Sequence, residues 1–193
     1  MVDHSNTNGN ILIVDDRQDN IDVLTEILSQ ENYTTFSALS GKEAIALASL
    51  NPPDLILLDV LMPEMDGYET CEIIKTNKKL KEIPVIFIST ATELLNKVRA
   101  FEVGAIDFIT RPFQIEEVLI RVKTHLSLYI YQTKLKDANI DLLNQFKNTF
   151  DQAAVGIIHT HPESGKISKS NKHFAKTLGY SMLEIMQLSI FDI

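Results

Sequence analysis

Five residues that could do chemistry together each follow or end a short apolar segment: Asp15, Asp16, Asp59, Ser89 and Arg111. Three carboxylates brought together repel one another, so the arrangement is unfavourable unless a cation or protons neutralise it. Mg²⁺ prefers oxygen ligands and is typically bound by one or two carboxylates and a phosphate. With an Asp as nucleophile, and a guanidinium and a hydroxyl to receive phosphoryl oxygens, the set predicts phosphoryl transfer.

Each of these residues also has a purely structural interpretation. Asp15 and Asp16 could cap the following helix, Ser89 could be a turn residue, and Arg111 could be a surface cation. Asp59 alone is more typical of a cap for the next helix than of a reactive carboxylate. The functional interpretation is favoured because the residues are predicted to lie at the ends of four different strands.

Alternating strands and helices are predicted to position these residues. Short apolar runs predict buried strands, and Pro or Gly residues bound several of them. The predicted strands are 10–14, 33–39, 55–59, 84–88 and 106–109. The segments between them have helical spacing, at 19–30, from 41, at 67–77, at 93–103 and from about 115. Ser40 and Glu43 form a capping-box pattern at the second helix.

Five strand–helix repeats with short connections predict an α/β fold, a doubly wound five-stranded parallel sheet with helices on both faces. The expected strand order is 2-1-3-4-5, the flavodoxin-like arrangement. The carboxyl ends of strands 1 and 3 are then neighbours. Asp15, Asp16 and Asp59 should therefore surround one crevice, with Ser89 and Arg111 arriving from strands 4 and 5.

The bulk composition fits a soluble globular protein. Of 193 residues, 45% are hydrophobic and 23% are charged, and the formal net charge is −8. This charge and the lack of a Lys/Arg block argue against direct binding of nucleic acid. The single cysteine, Cys71, is expected to be a small core residue, and the polar start lacks a signal peptide. The cytoplasm is the expected location, with no membrane segment in this stretch.

Four sequence pieces carry a resemblance to a known family. They are Ile11-Leu-Ile-Val-Asp15-Asp16, Leu57-Leu-Asp59-Val-Leu-Met-Pro63 with Asp66-Gly67, Pro84-Val-Ile-Phe-Ile-Ser89, and Gly104-Ala-Ile-Asp-Phe108-Ile-Thr-Arg111-Pro112-Phe113. Over residues 10–128 the chain resembles the receiver domain of two-component response regulators. The resemblance implies that Asp59 accepts a phosphoryl group from the phosphohistidine of a sensor histidine kinase or a phosphotransfer protein.

The same resemblance implies a Mg²⁺ site. Asp16, Asp59 and the backbone carbonyl of Leu61 would ligate the ion, and Asp15 would act mainly through water. Leu61 and Ala91 are apolar or small, at positions that could otherwise orient a hydrolytic water. We therefore expect slow loss of the phosphoryl group.

The resemblance also implies a switch. Ser89 would bond to the phosphoryl group after activation, and Phe108 occupies the aromatic position that turns inward with it. One departure is Arg111, since the family normally has Lys there. Arg keeps the charge but is a planar fork on a longer arm, so the strength of the switch could differ.

Two charge pairs resemble the cross-subunit ion pairs of receivers that dimerise through helix 4, strand 5 and helix 5. They are Lys97 with Glu117, and Asp107 with Arg121. The alternative is a solvated face whose ion pairs contribute little.

The fifth helix is predicted to continue beyond the receiver. Leu128, Tyr131, Leu135, Ala138 and Leu142 are spaced by three and four residues, as in a coiled coil. A helical linker over 129–146 that pairs with its copy in a homodimer is one interpretation. A single helix that packs on its own domain is the other.

From about residue 147 to 193 the pattern changes again. A strand at 154–160, a hairpin turn at 162–165, a strand at 166–170 and a helix at 171–178 are predicted. The segment resembles the start of a PAS sensor domain, through Asp151-Gln-Ala-Ala-Val-Gly156-Ile, Ser170-Asn171 and Leu178-Gly179-Tyr180-Ser181 with Glu184. Only the first part of such a domain is covered. His159 and His161 share a predicted strand face and are more typical of solvated residues than of metal ligands.

Three classes of function remain open. The first is a phosphoacceptor receiver, which is not itself an enzyme, that signals through the long helix to a PAS segment and an unseen output domain. The second is a pseudo-receiver that only binds partners, suggested by Arg111. The third is the front end of a hybrid histidine kinase or a cyclic-dinucleotide enzyme.

Overall fold

A computed structural model describes residues 8–90 and 97–193. The chain forms two compact units, Met1–Gln132 and Thr133–Ile193. The first unit contains a five-stranded sheet. Its strands are β1 (Asn10–Val14), β2 (Thr34–Ala38), β3 (Leu55–Asp59), β4 (Val85–Thr90) and β5 (Asp107–Arg111). All four neighbouring pairs are parallel, in the order β2-β1-β3-β4-β5. The predicted fold class and strand order are confirmed.

Helices connect the strands of this sheet. They are α1 (Gln18–Ser29), α2 (Gly41–Leu50), α3 (Gly67–Thr76), α4 (Lys97–Glu102) and α5 (Ile115–Gln152). The predicted start of the fourth helix near Glu93 lies outside the described residues. Alternate residues of the apolar strands face two separate cores, so Leu12 and Ile56 pack on one side of the sheet and Ile11 and Leu55 on the other. This two-sided burial explains why the central strands are continuous apolar runs.

Side-chain caps fix two helix starts beside the carboxyl edge of the sheet. Ser40 Oγ accepts the Glu43 N–H at 3.3 Å, as the capping-box pattern predicts, but the Glu43 carboxylate accepts the N–H of Leu39 at 2.8 Å. At α3 the box is complete, because Asp66 and Glu69 cap each other's backbone N–H groups.

Two strands are longer than predicted. β4 extends to Thr90 and β5 to Arg111, so that Ser89 pairs with Thr110 and Thr90 with Arg111. The residues at these strand ends are polar, so a search for apolar runs does not detect them. The extension places Ser89 and Arg111 on regular backbone.

α5 is also longer than predicted, since it ends at Gln152 and not near Phe146. No Gly or Pro interrupts residues 147–152. The ring of Phe150 stacks on Phe146 with centroids 6.0 Å apart, and the Phe150 carbonyl accepts the amide N–H of Asn171 at 3.0 Å. These contacts stabilise the last turns. In the described part of the chain, no helix combines the length and apolar character needed to cross a bilayer.

The second unit contains a hairpin and short helices. β6 (Ile158–Thr160) and β7 (Ile167–Ser170) are antiparallel, and α6 (Lys172–Leu178) and α7 (Met182–Ile185) follow. Ile167, Ala175 and Ile185 form its small core. The strand in the structure is shorter than the one predicted at 154–160. The Asn171 side chain bonds to the Val155 carbonyl and to the Ile157 N–H, so these groups do not pair with another strand.

Candidate functional site

Asp59 is the last residue of β3 and lies at the carboxyl edge of the sheet. Asp59 is buried, with 2% of its surface exposed. Immediately after it, the N–H of Val60 donates to the carbonyl of Ile88 at 3.1 Å, and the Val60 carbonyl accepts the N–H of Gly67 at 2.9 Å. The chain therefore turns sharply around Asp59, and the turn fixes where its carboxylate lies.

Asp15 follows β1 and is fully buried. Its Oδ1 accepts the N–H of Arg17 at 2.9 Å, and the Asn20 amide donates to Oδ1 and Oδ2 at 2.9 and 3.0 Å. Asp15 is thus held in one orientation by the first turn of α1. No sequence pattern predicted this role of Asn20. The nearest signal is a carboxamide five residues after a buried Asp, on the same helix start.

Asp15, Asp16 and Asp59 come together as predicted. One carboxylate oxygen of each lies within 4.8 Å of the other two, and Asp16 is the exposed member. Within residues 8–90 and 97–193, this is the one group of three or more His, Cys, Asp or Glu residues that could hold a metal ion. An all-oxygen set of this size suits a hard divalent cation such as Mg²⁺.

Arg111, the last residue of β5, also lies in the cluster. Its Nη2 donates to Asp15 Oδ2 at 3.0 Å and to Asp59 Oδ1. Ser89 is fully buried on the neighbouring strand. In the described ranges, the buried side-chain polar atoms without a hydrogen-bond partner are Ser89 Oγ and Arg111 Nε. Two unused donors near a buried carboxylate fit the binding of an oxyanion, because an unpaired buried donor is costly.

The pKa of Asp59 is raised to about 7. The main cause is burial, which disfavours the charged form, and the negative charges of Asp15 and Asp16 add to it. The Arg111 guanidinium and the N–H of Val60 act in the opposite direction but do not compensate. The site therefore lacks positive charge, which a divalent cation would supply.

The predicted dimer-face residues form a network within one chain. Arg121 Nη1 donates to both oxygens of Asp107 at 2.7 Å, and its Nε donates to Glu117 at 2.9 Å. His125 Nε2 lies 2.8 Å from Asp107 Oδ2. Burial raises the pKa of Asp107, but the bonds from His125 and Arg121 outweigh it, and the net pKa is lowered. The side chain of Lys97, the predicted partner of Glu117, lies outside the described residues.

Phe108 lies on β5, three residues before Arg111. It is half-buried against the core, and the Arg121 Cζ lies 5.7 Å from its ring centroid.

Leu61 is exposed, and Ala91 lies outside the described residues. Cys71 is fully buried, as expected of a core residue. The exposed His159 ring packs edge-on against Phe150 with centroids 6.0 Å apart.

The doubly wound parallel sheet, with an acidic cluster at its carboxyl edge, defines the first unit as an α/β domain whose carboxylates could hold a metal ion. The chain belongs to the response regulator receiver domain family, whose model matches residues 11–123, more than half of its length. Receiver domains are in general signal transducers and not enzymes. The predicted recognition of a receiver is confirmed, while a following PAS domain stays a prediction.

Similar proteins are found among both characterised sequences and solved structures. The chain is 35% identical over 179 residues to a Vibrio cholerae protein named "probable cyclic di-GMP phosphodiesterase", which covers 87% of this chain and 40% of that protein. It is 37% identical over 133 residues to the transcriptional regulatory protein YvrH of Bacillus subtilis, which covers 68% of this chain and 54% of that protein. The chain thus spans about half the length of these relatives.

One solved structure is the signal receiver domain of a signal transduction histidine kinase from Syntrophus aciditrophicus. It is 43% identical, with a TM-score of 0.58, over 62% of this chain and 90% of that one. The domain of that name therefore matches the first unit in both sequence and fold.

Proposed function

We propose that Asp59 accepts a phosphoryl group from the phosphohistidine of a sensor histidine kinase or phosphotransfer protein. A carboxylate oxygen of Asp59 attacks phosphorus, the bond from phosphorus to the histidine nitrogen breaks, and the nitrogen retains the electron pair. The observation that carries this proposal is the buried Asp59 at the sheet edge, with two more carboxylates and two unused buried donors around it.

The neighbouring residues have separate roles in the proposed reaction. Asp16, Asp59 and the carbonyl of Leu61 would ligate Mg²⁺, and Asp15 would hold it mainly through water. The ion would offset the negative charge of the carboxylates and the incoming phosphoryl group. Ser89 Oγ and the Arg111 guanidinium are donors for the phosphoryl oxygens. Phe108, on the strand of Arg111, would respond by turning inward.

Incubation with a small phosphodonor and Mg²⁺ tests this function. Intact-mass spectrometry should show one added phosphoryl group, which Asp59→Asn and removal of Mg²⁺ by a chelator both abolish. Asp19→Asn, which changes an exposed carboxylate on α1, is the matched control and should be phosphorylated normally. The protein would be a pseudo-receiver if the wild-type chain gains no mass and a phosphoryl mimic with Mg²⁺ does not change its stability.

The phosphorylated form should be long-lived. Leu61 and Ala91 offer no group that could activate a water near Asp59. The half-life of the phosphoryl group, followed by mass after removal of the phosphodonor, checks this. A half-life of seconds would contradict it.

The signal is proposed to leave the receiver (10–128) through the linker part of α5 (129–146) and reach a PAS-like segment (147–193). Pairing of two chains, through the linker or through α4, β5 and α5, would couple phosphorylation to an output domain. The capped α6 and α7 and the β6–β7 hairpin in the second unit support a PAS-like start.

A second candidate is the front end of a cyclic-dinucleotide enzyme. The similarity to the Vibrio cholerae protein covers 87% of this chain, so it continues beyond the residues that the receiver family matches. The name of that relative suggests hydrolysis of cyclic di-GMP as the output. An assay of cyclic di-GMP hydrolysis by the full-length parent protein, with and without Asp59→Asn, tests this candidate.

A further inference from the structure

The Arg111 guanidinium lies between two buried carboxylates of the proposed metal site. One nitrogen, Nη2, donates to both Asp15 and Asp59. The Arg111 side chain is 20% exposed, while those of Asp15 and Asp59 are 0% and 4% exposed. At such low exposure, solvent and salt screen the attraction between these charges much less than they screen a surface ion pair.

Asp15 has little bonding capacity left in this arrangement. The backbone of Arg17 and the amide of Asn20 take up its Oδ1, and Asn20 and Arg111 share its Oδ2. Asp59 in turn has its Oδ1 bonded to Arg111. A cation that enters between Asp15 and Asp59 must therefore compete with the guanidinium for their oxygens.

We propose that Arg111 is an internal competitor of Mg²⁺: it bridges Asp15 and Asp59 in the metal-free protein and must release at least one of them when the ion binds. This inference rests on the proposed function, from which it takes the Mg²⁺ site. It assigns Arg111 a role in setting how much Mg²⁺ the receiver needs before Asp59 can react.

The unpartnered Nε of Arg111 explains why release is feasible. The guanidinium has five N–H donors in a rigid fork, and its buried Nε–H has no acceptor in the bridging position. The bridge therefore carries the cost of one unsatisfied donor. When Arg111 turns away from Asp15, that donor becomes free to reach a new acceptor, such as an oxygen of a bound phosphoryl group.

Mg²⁺ affinity of the unphosphorylated protein tests the competition, measured by isothermal titration calorimetry. Arg111→Met removes the competing cation and keeps a similar volume, so Mg²⁺ should bind about fivefold more tightly or better. Arg17→Met is the matched control, because the Arg17 side chain is exposed and the residue bonds to Asp15 through its backbone N–H, which the substitution keeps. It should change the affinity less than twofold.

If Arg111→Met raises the Mg²⁺ affinity no more than Arg17→Met does, the inference is overturned. The loss of one positive charge near the site would then explain the change without any competition for the carboxylates. Should Arg111→Met fail to fold, Arg111→Gln also removes the charge and keeps a polar end on the side chain. It should bind Mg²⁺ more tightly than wild type, and an unchanged affinity would equally overturn the inference.

The wild-type protein provides a direct readout. The Nε–H signal of Arg111 in a ¹⁵N–¹H spectrum, assigned by its loss in Arg111→Lys, should move as Mg²⁺ saturates the site. A fixed signal would contradict release of the guanidinium, yet leave phosphorylation of Asp59 intact. Failure of Mg²⁺ to bind any variant would contradict the proposed metal site together with this inference.

Discussion

Gly67 lies so close to Asp59 that no side chain fits between them. A Cβ at position 67 would overlap the carbonyl oxygen of Asp59 and lie 2.9 Å from the Cα of Val60. Both neighbours are backbone atoms, which cannot rotate out of the way. The first residue of α3 therefore packs directly on the turn that holds the phosphoacceptor.

Gly67→Ala should displace the Asp59 turn and destabilise the first unit. Overpacking against backbone typically costs about 2 kcal/mol, measurable as the free energy of unfolding in urea. The rate of Asp59 phosphorylation should fall about tenfold or more, because small displacements of a reacting group are costly.

Gly179→Ala is the control for this substitution. Gly179 has a φ of +79°, but a Cβ there meets nothing within 4 Å. Its cost should be about 1 kcal/mol from backbone strain alone, and it should leave phosphorylation unchanged. Equal phosphorylation rates in the two variants would show that the Asp59 turn adapts to a methyl group.

The fold and the acidic cluster could be predicted because both follow from local patterns. Buried parallel strands are continuous apolar runs, and the residues after them meet at one edge of the sheet. The contacts of Arg111 could not be predicted this way. Its partners Asp15 and Asp59 precede it by 96 and 52 residues, and which of them it bonds depends on the packing of β5.

The hydrogen bonds of Asn20 and Asn171 could not be predicted for a related reason. Each is one polar residue near a helix start, and such residues usually cap the helix or face solvent. Only the folded chain brings Asp15 to Asn20, or the end of α5 to Asn171.

Asp59 should make a contribution to the stability of the metal-free protein that decreases as the pH rises toward 7. The pKa of Asp59 is about 7 in the folded state, against about 3.9 for an unperturbed Asp. Between these values the folded state binds the proton and the unfolded state does not. The contribution of Asp59 is therefore fully present below pH 4 and is lost by about 1.4 kcal/mol per pH unit as the pH rises to 7.

Asp59→Asn should remove this component, so that the free energy of unfolding falls less steeply between pH 5 and 7 than in wild type. Urea unfolding in the presence of a chelator measures the difference. Asp19→Asn should keep the wild-type slope. Added Mg²⁺ should stabilise the wild type more at pH 8 than at pH 5.5, because protons compete with the ion for Asp59. Parallel curves for wild type and Asp59→Asn would contradict the raised pKa.

Asn171 joins three parts of the second unit. Its amide donates to the carbonyls of Phe150 and Val155 at 3.0 and 2.9 Å, and its Oδ1 accepts the N–H groups of Ile157 and Phe174 at 2.9 and 3.0 Å. The residue is fully buried. One side chain thus binds the end of α5, the loop before β6 and the start of α6.

Asn171→Ala should leave these backbone groups without their partner and destabilise the second unit by about 3 kcal/mol. Hydrogen exchange, followed by mass spectrometry, should accelerate in peptides over 150–157 and 171–176 and stay unchanged over the strands of the receiver. Asn148→Ala removes an exposed carboxamide from α5 and should leave exchange as it is. Unchanged exchange in Asn171→Ala would show that the contacts among the end of α5, the loop before β6 and the start of α6 do not depend on this side chain.

The linker part of α5 offers a matched test of self-association. Leu135 and Leu142, at the predicted coiled-coil positions, are 64% and 63% exposed. Ile140 and Leu143 are 56% and 67% exposed but lie off that spacing.

If two chains pair through the linker, the double change of Leu135 and Leu142 to Glu should convert dimers to monomers in sedimentation velocity, since a/d positions are buried on pairing. The double change of Ile140 and Leu143 to Glu should leave dimers intact. Dimers that survive the first pair of changes and are lost in Arg121→Ala would instead place the contact on α4, β5 and α5.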